Sequence, residues 1–360
     1  LDCVVAWCER ALTGGAGFEL MGKRVYLHIG WEKTGTSAIQ VFCARNQGWL
    51  DDRGVHYPLM GELPQHADLY WDLISGDASR VERSSDAVRA EIGSCEHDAV
   101  IFSHESLHLF EPKIFAEMFR GCDVRVIAYV RQPDVALISF FITMVRYGLV
   151  GAEDLFRAVR GFAREHVGRF AYTGALMGFV DQFGRASVTV RQYAPDALVG
   201  GQAVTDFMHL LGIDDLGGSK WPEDRANISL DADQLAVVLR VARGLRGMPE
   251  AEVCARTRRL CDAMLAAGEP DRARCVERFV PVSLRRGLLA CWRDSFGALY
   301  DEFFDGRAIF DDGLAGLSGE LYVGMDARRL EALVGVVRGA DVLPEDQGER
   351  VLASLEGLRC

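Results

Sequence analysis

The sequence predicts an α/β fold: a P-loop-type, mostly parallel sheet flanked by helices, with a helical C-terminal half. Short β-type runs at 24–30, 98–102, 123–130 and 186–191 alternate with helical stretches. A glycine-bearing turn joins the first run to its helix. After about residue 200 the apolar spacing becomes that of helices. Sheets built this way bind ligands at the carboxyl ends of their strands.

Taken in order, residues 1–20 read as an N-terminal extension outside the fold, with Met21-Gly22-Lys23-Arg24 as a natural start. Residues 21–230 read as the core. The run Arg24-Val-Tyr-Leu-His-Ile-Gly30 is followed by a helix carrying Ile39, Phe42, Cys43 and Leu50 on one face. Pro133 suits a first helical turn, and Leu137, Ile138, Phe141 and Val145 keep helical spacing after it. Residues 231–360 read as a helical region packing on the core. Its stripes are Leu235, Val238, Leu239 and Ala242; Leu260, Met264 and Leu265; and Leu288, Leu289, Trp292, Phe296 and Leu299.

Composition narrows the function class. The 360 residues are 49% hydrophobic and 26% charged, which excludes a disordered or low-complexity chain. The net charge of -12 argues against broad attraction to nucleic acid or anionic membrane. Apolar runs fall short of the roughly 18 residues that span a bilayer. Ten cysteines without a CxxC pair read as the reduced thiols of a cytoplasmic protein. Arginines crowd residues 240–293 and read as solvated helix faces.

The segment Gly30-Trp31-Glu32-Lys33-Thr34-Gly35-Thr36-Ser37 joins strand to helix. Such a turn offers backbone N–H groups and the positive end of a helix dipole to an oxyanion. Thr36 and Ser37 add hydroxyls, and Lys33 can set its ammonium on a leaving-group oxygen. The spacing is near that of a Walker A loop, but Thr36 stands where the phosphate-gripping lysine belongs. A phosphate suits the loop better than Mg·ATP does. The third run ends in Val130-Arg131-Gln132-Pro133, with Ser139 further along the next helix. A forked guanidinium and a hydroxyl there can hold a second phosphate.

Together, His28-Ile-Gly-x-x-Lys33-Thr34-Gly35-Thr36-Ser37 and Val130-Arg131-x-Pro133 with Ser139 resemble the nucleotide-binding signature of sulfotransferases. These enzymes use 3′-phosphoadenosine 5′-phosphosulfate (PAPS) and release its bisphosphate product, PAP. Gln40, Tyr57-Pro58, Asp206-Phe207 before Leu211-Gly212-Ile213, and Asn227-Ile228-Ser229-Leu230 resemble the bacterial branch related to carbohydrate sulfotransferases. The resemblance covers about 24–230. It implies that Lys33 stabilises the bridging oxygen, that Thr34, Gly35, Thr36 and Ser37 hold the 5′-phosphosulfate, and that Arg131 and Ser139 select the 3′-phosphate. It implies a hydroxyl acceptor on a carbohydrate or glycosylated molecule, and it requires no metal. Trp31 and Glu32 depart from the family pattern.

The second run leads into Ser103-His104-Glu105-Ser106-Leu107-His108, where the resemblance places the acceptor's base: Glu105 first, His104 second. Arg146, Tyr147, Tyr172 and Arg191 are candidates for the acceptor cleft. His104-Glu105-x-x-His108 also spells a zinc-hydrolase signature, which needs a sustained helix. A β-type run entering His104 and Pro112 soon after it argue against one. A P-loop kinase or a non-catalytic nucleotide-binding scaffold would also account for the anion loop.

Overall fold

The computed structural model describes residues 22–61, 64–221, 230–268, 270–271, 274–310, 322, 324–344 and 347–360. Residues 1–20 and the Asn227-Ile228-Ser229 motif therefore lie outside the described residues. In chain order the elements are β1 (Arg24–His28), α1 (Thr36–Arg45), α2 (Gln47–Asp51), β2 (Val55–His56), α3 (Ala67–Ser75), α4 (Ala78–Ser94), β3 (Ala99–Ser103), α5 (Pro112–Met118) and β4 (Asp123–Val130). There follow α6 (Pro133–Arg146), α7 (Leu155–His166), α8 (Tyr172–Phe183), β5 (Val188–Gln192), α9 (Ala203–Leu210), α10 (Ala232–Gly244), α11 (Glu250–Ala267), α12 (Val282–Phe303), α13 (Ala327–Gly339) and α14 (Gly348–Leu355).

The strands form one parallel sheet in the order β2-β3-β1-β4-β5, which is the α/β class expected. β1 is central because its residues are buried on both faces, as parallel strands covered by helices must be. Its pairing sets His28 beside both Ser103 of β3 and Ile127 of β4. The segments leaving β1, β3 and β4 therefore emerge on the same sheet edge. From β1 the chain builds first toward β2 and β3 and then toward β4 and β5. That reversal makes a topological switch point, where such sheets leave a crevice.

Alternation along the strands sorts the core. Tyr26, Ile101, Ile127 and Tyr129 pack with Ile39 and Phe42 of α1 and Phe207 and Met208 of α9. Phe102 meets Phe119 at 5.3 Å, and Phe115 of α5 stacks on Phe179 of α8 at 5.9 Å. β2 escapes the sequence reading because two residues carry no periodicity.

The chain forms two compact units, Leu1–Arg131 with Ala171–Glu223 and Ser295–Ile309, and Gln132–Phe170 with Asp224–Asp294 and Phe310–Cys360. The first contains the sheet. The second is helical in its described residues, built on α10, which is buried nearly all round and opens with an Asp231–Gln234 capping box. Much of the arginine-rich stretch is exposed, as expected, but part of it is engaged inside the unit. Arg285 is buried and bonds Asp134 at 2.6 Å. Arg274 pairs with buried Asp233 at 2.6 Å, and Arg256 bonds the Val342 carbonyl. Buried carboxylates need such partners, so this part of the charge works inside the unit. Among the described residues no helix is long and apolar enough to cross a membrane.

Candidate active site

The loop after β1 is shaped by two glycines. Gly30 has φ 70, and a Cβ there would sit 2.3 Å from the Glu105 Cα. Gly35 has φ 84 and caps α1; its Cβ would meet Ala203 at 2.6 Å and the Tyr193 ring at 2.9 Å. Only glycine fits at either point. Between them Lys33 takes a left-handed conformation, φ 66. Thr34 and Thr36 both donate to the Trp31 carbonyl, at 2.7 and 3.2 Å. Each hydroxyl has one proton to give, so the two threonines latch the loop and keep only acceptor lone pairs for other partners. No described side chain caps α1. The donors suited to an anion here are the first-turn N–H groups at Thr36 and Ser37, the half-buried Lys33 and the exposed Ser37 hydroxyl.

Arg131 leaves the end of β4 and donates from Nη1 to the Lys33 carbonyl at 3.1 Å. Its guanidinium lies 5.7 Å from the Tyr193 ring centre, and no described carboxylate pairs with it. Arg131 and the loop after β1, far apart in sequence, thus meet at one end of the sheet. Trp31 explains itself here. It is fully buried, stacked on His108 at 4.3 Å and edge-on to Tyr172 at 5.0 Å. Tyr172 in turn donates to the Arg131 carbonyl at 2.8 Å. Tyr172 is 2% exposed, so it is a strut between loop and strand end rather than a cleft wall, a correction of the sequence reading. Glu32 is also internal: its carboxylate accepts the Ser106 hydroxyl at 3.1 Å and ties the loop to the segment after β3.

That segment does not form the helix a zinc-hydrolase signature requires. β3 ends at Ser103, and a 3-10 turn spans Leu107–Leu109. His104 stacks on Tyr70 at 4.6 Å, whereas His108 stacks on Trp31. His104 Nδ1 accepts the Ser106 N–H at 3.2 Å, which assigns the neutral ring's proton to Nε2. With its accepting nitrogen engaged, His104 is the weaker candidate base. Glu105 is half-buried, its backbone held against Gly30.

Behind the strand ends lies a polar layer that sequence reasoning missed. Gln40 Nε2 donates to the Ser103 carbonyl at 3.2 Å, and Ser103 Oγ bonds His28 Nδ1 at 2.8 Å. The Ser103 N–H donates to His66 Nδ1 at 3.0 Å. Burial pushes the His28 imidazole down to about 3 and His66 to about 4, so both are neutral linkers.

Arg191, expected on the ligand side, is engaged elsewhere. It bonds both oxygens of fully buried Asp206, at 3.0 and 2.5 Å, and the Ala197 carbonyl at 3.3 Å. Burial works to raise the Asp206 pKa, but Arg191, the Val199 N–H and the Tyr129 hydroxyl together hold it below the usual carboxylate value. Lys33, Thr34, Gly35, Thr36, Ser37, His104, Glu105, Arg131, Tyr172 and Arg191 fall in the first unit; Ser139, Arg146 and Tyr147 fall in the second, on and just after α6. Tyr193, beside both Gly35 and Arg131, carries no local signal in the sequence to mark it.

No protein-family model matches the chain, and no curated protein does. Among solved structures, a sulfotransferase from Alicyclobacillus acidocaldarius is similar at 18% identity over 65% of this chain and 94% of that chain, with a TM-score of 0.38.

Proposed function

We propose that this protein transfers a sulfuryl group from PAPS to a hydroxyl acceptor of carbohydrate type. What carries it is the approach of the Arg131 guanidinium to the loop that presents Lys33, 3.1 Å from its carbonyl. Two cationic groups and an uncapped helix start then serve one doubly phosphorylated ligand. In the reaction the acceptor oxygen bonds to sulfur as the sulfur–oxygen bond to the 5′-phosphate breaks. Glu105 takes the acceptor's proton. Lys33 and the Thr36 and Ser37 N–H groups neutralise the charge that builds on the departing phosphate. Arg131 holds the 3′-phosphate, the group that distinguishes PAPS from ATP.

The test is ligand preference followed by transfer. PAP at 100 times its dissociation constant should stabilise the fold by about 2.7 kcal/mol, with Mg·ATP giving little. Label from radioactive PAPS should then reach a sugar alcohol acceptor, and Glu105→Gln should slow that step without weakening PAP. A preference for Mg·ATP, or PAP binding with no transfer to any hydroxyl, would sink the proposal.

A further inference from the structure

At the opposite edge of the sheet three side chains from separate segments converge. Asp51 closes α2, His56 stands on β2, and His97 sits in the turn before β3. Asp51 Oδ1 lies 3.0 Å from His56 Nδ1 and 3.3 Å from His97 Nε2. One ligand atom from each residue falls within 4.8 Å of the other two. Zinc bonds to nitrogen and oxygen near 2.0–2.1 Å place neighbouring tetrahedral ligands about 3.3 Å apart. The Asp51–His97 edge equals that spacing, and the Asp51–His56 edge, a hydrogen bond as it stands, is slightly shorter.

The surroundings match as well. His56 Nε2, the nitrogen turned away from Asp51, faces Glu91 Oε1 of α4 at 3.4 Å. Metal-bound histidines donate their second N–H to a carboxylate, which fixes tautomer and ring orientation. Lys23 Nζ donates to the Cys95 and His97 carbonyls at 2.7 and 2.6 Å, holding the turn that carries His97. The three side chains are half-buried, which leaves room for a fourth ligand from solvent.

We propose that Asp51, His56 and His97 form a binding site for a borderline divalent cation of the zinc class. Glu91 orients His56. Two nitrogens and one carboxylate oxygen select such an ion over calcium or magnesium, which prefer all-oxygen shells. The ion staples the two-residue strand β2 and the end of α2 to the start of β3. The site shares no residue with the anion loop.

The experiment uses the full chain, stripped with chelator and titrated with Co²⁺ as a visible-light probe. One Co²⁺ per chain with d–d absorption bands, displaced by Zn²⁺, is expected. His56→Ala and His97→Ala should each abolish the bands, and Glu91→Gln should weaken Co²⁺ about tenfold. His97→Gln, checked for folding by circular dichroism, serves where the alanine variant does not fold. Absence of the bands in the wild type, or bands that persist in folded His56 and His97 variants, would overturn the site and show only a histidine–carboxylate ion cluster. Neither result bears on PAP binding.

Discussion

Adjacent strands β4 and β5 each carry an arginine at their carboxyl ends, and the two have opposite surroundings. Arg191 faces Asp206, a carboxylate with no solvent access, and is fully engaged by it and a carbonyl. Arg131 meets a carbonyl and an aromatic ring, and no described carboxylate. Residue type and strand position are therefore insufficient to mark an anion site. What separates the two is whether a buried carboxylate already neutralises the guanidinium. One arginine is spent on a buried carboxylate; the other is the one we propose for a ligand's phosphate.

Variants can break that contrast. The largest effect belongs to the lysine beside Arg131. Lys33→Ala should lower sulfuryl transfer by about 10²- to 10³-fold with PAP affinity largely kept; transfer at wild-type rate would remove Lys33 from the chemistry. Next, Arg191→Ala strands the Asp206 charge and should cost about 3 kcal/mol in denaturant unfolding. A loss below about 1 kcal/mol would show that Asp206 finds other relief. Arg131→Ala should do the reverse, weakening PAP about tenfold or more in calorimetry while stability moves little. Should both arginine variants behave alike, the contrast fails. A smaller effect lies in the acid limb. Asp206 has its pKa depressed in the folded chain, so its share of stability is present above the ordinary carboxylate pKa and is lost as pH falls through the lowered value. Unfolding midpoints below about pH 4 should therefore fall less steeply in Arg191→Ala than in Arg131→Ala.

The legible parts of the molecule were those with local causes. β1, β3, β4 and β5 announce themselves by short β-type runs, and the anion loop by its glycines beside a helix start. Nothing local in the sequence shows that Thr34 and Thr36 turn toward the Trp31 carbonyl. The roles of Tyr172 and Arg191 were hidden for a related reason: each depends on a partner from another element, Arg131 and Asp206. The Asp51–His56–His97 cluster is assembled by the pairing of β2 with β3, a two-residue contact that no periodicity betrays. In the second unit, Arg285 and Asp134 are 151 positions apart, and only burial reveals that the arginine stretch is partly internal.

Lys33 has a positive φ that suits glycine far better than lysine. A side chain in that region costs about 1 kcal/mol. Lys33→Gly should therefore yield a chain that resists denaturant better than Lys33→Ala and yet transfers no faster. The molecule would then be seen to hold its ammonium in a tensed backbone, giving up robustness where relaxation would remove that charge.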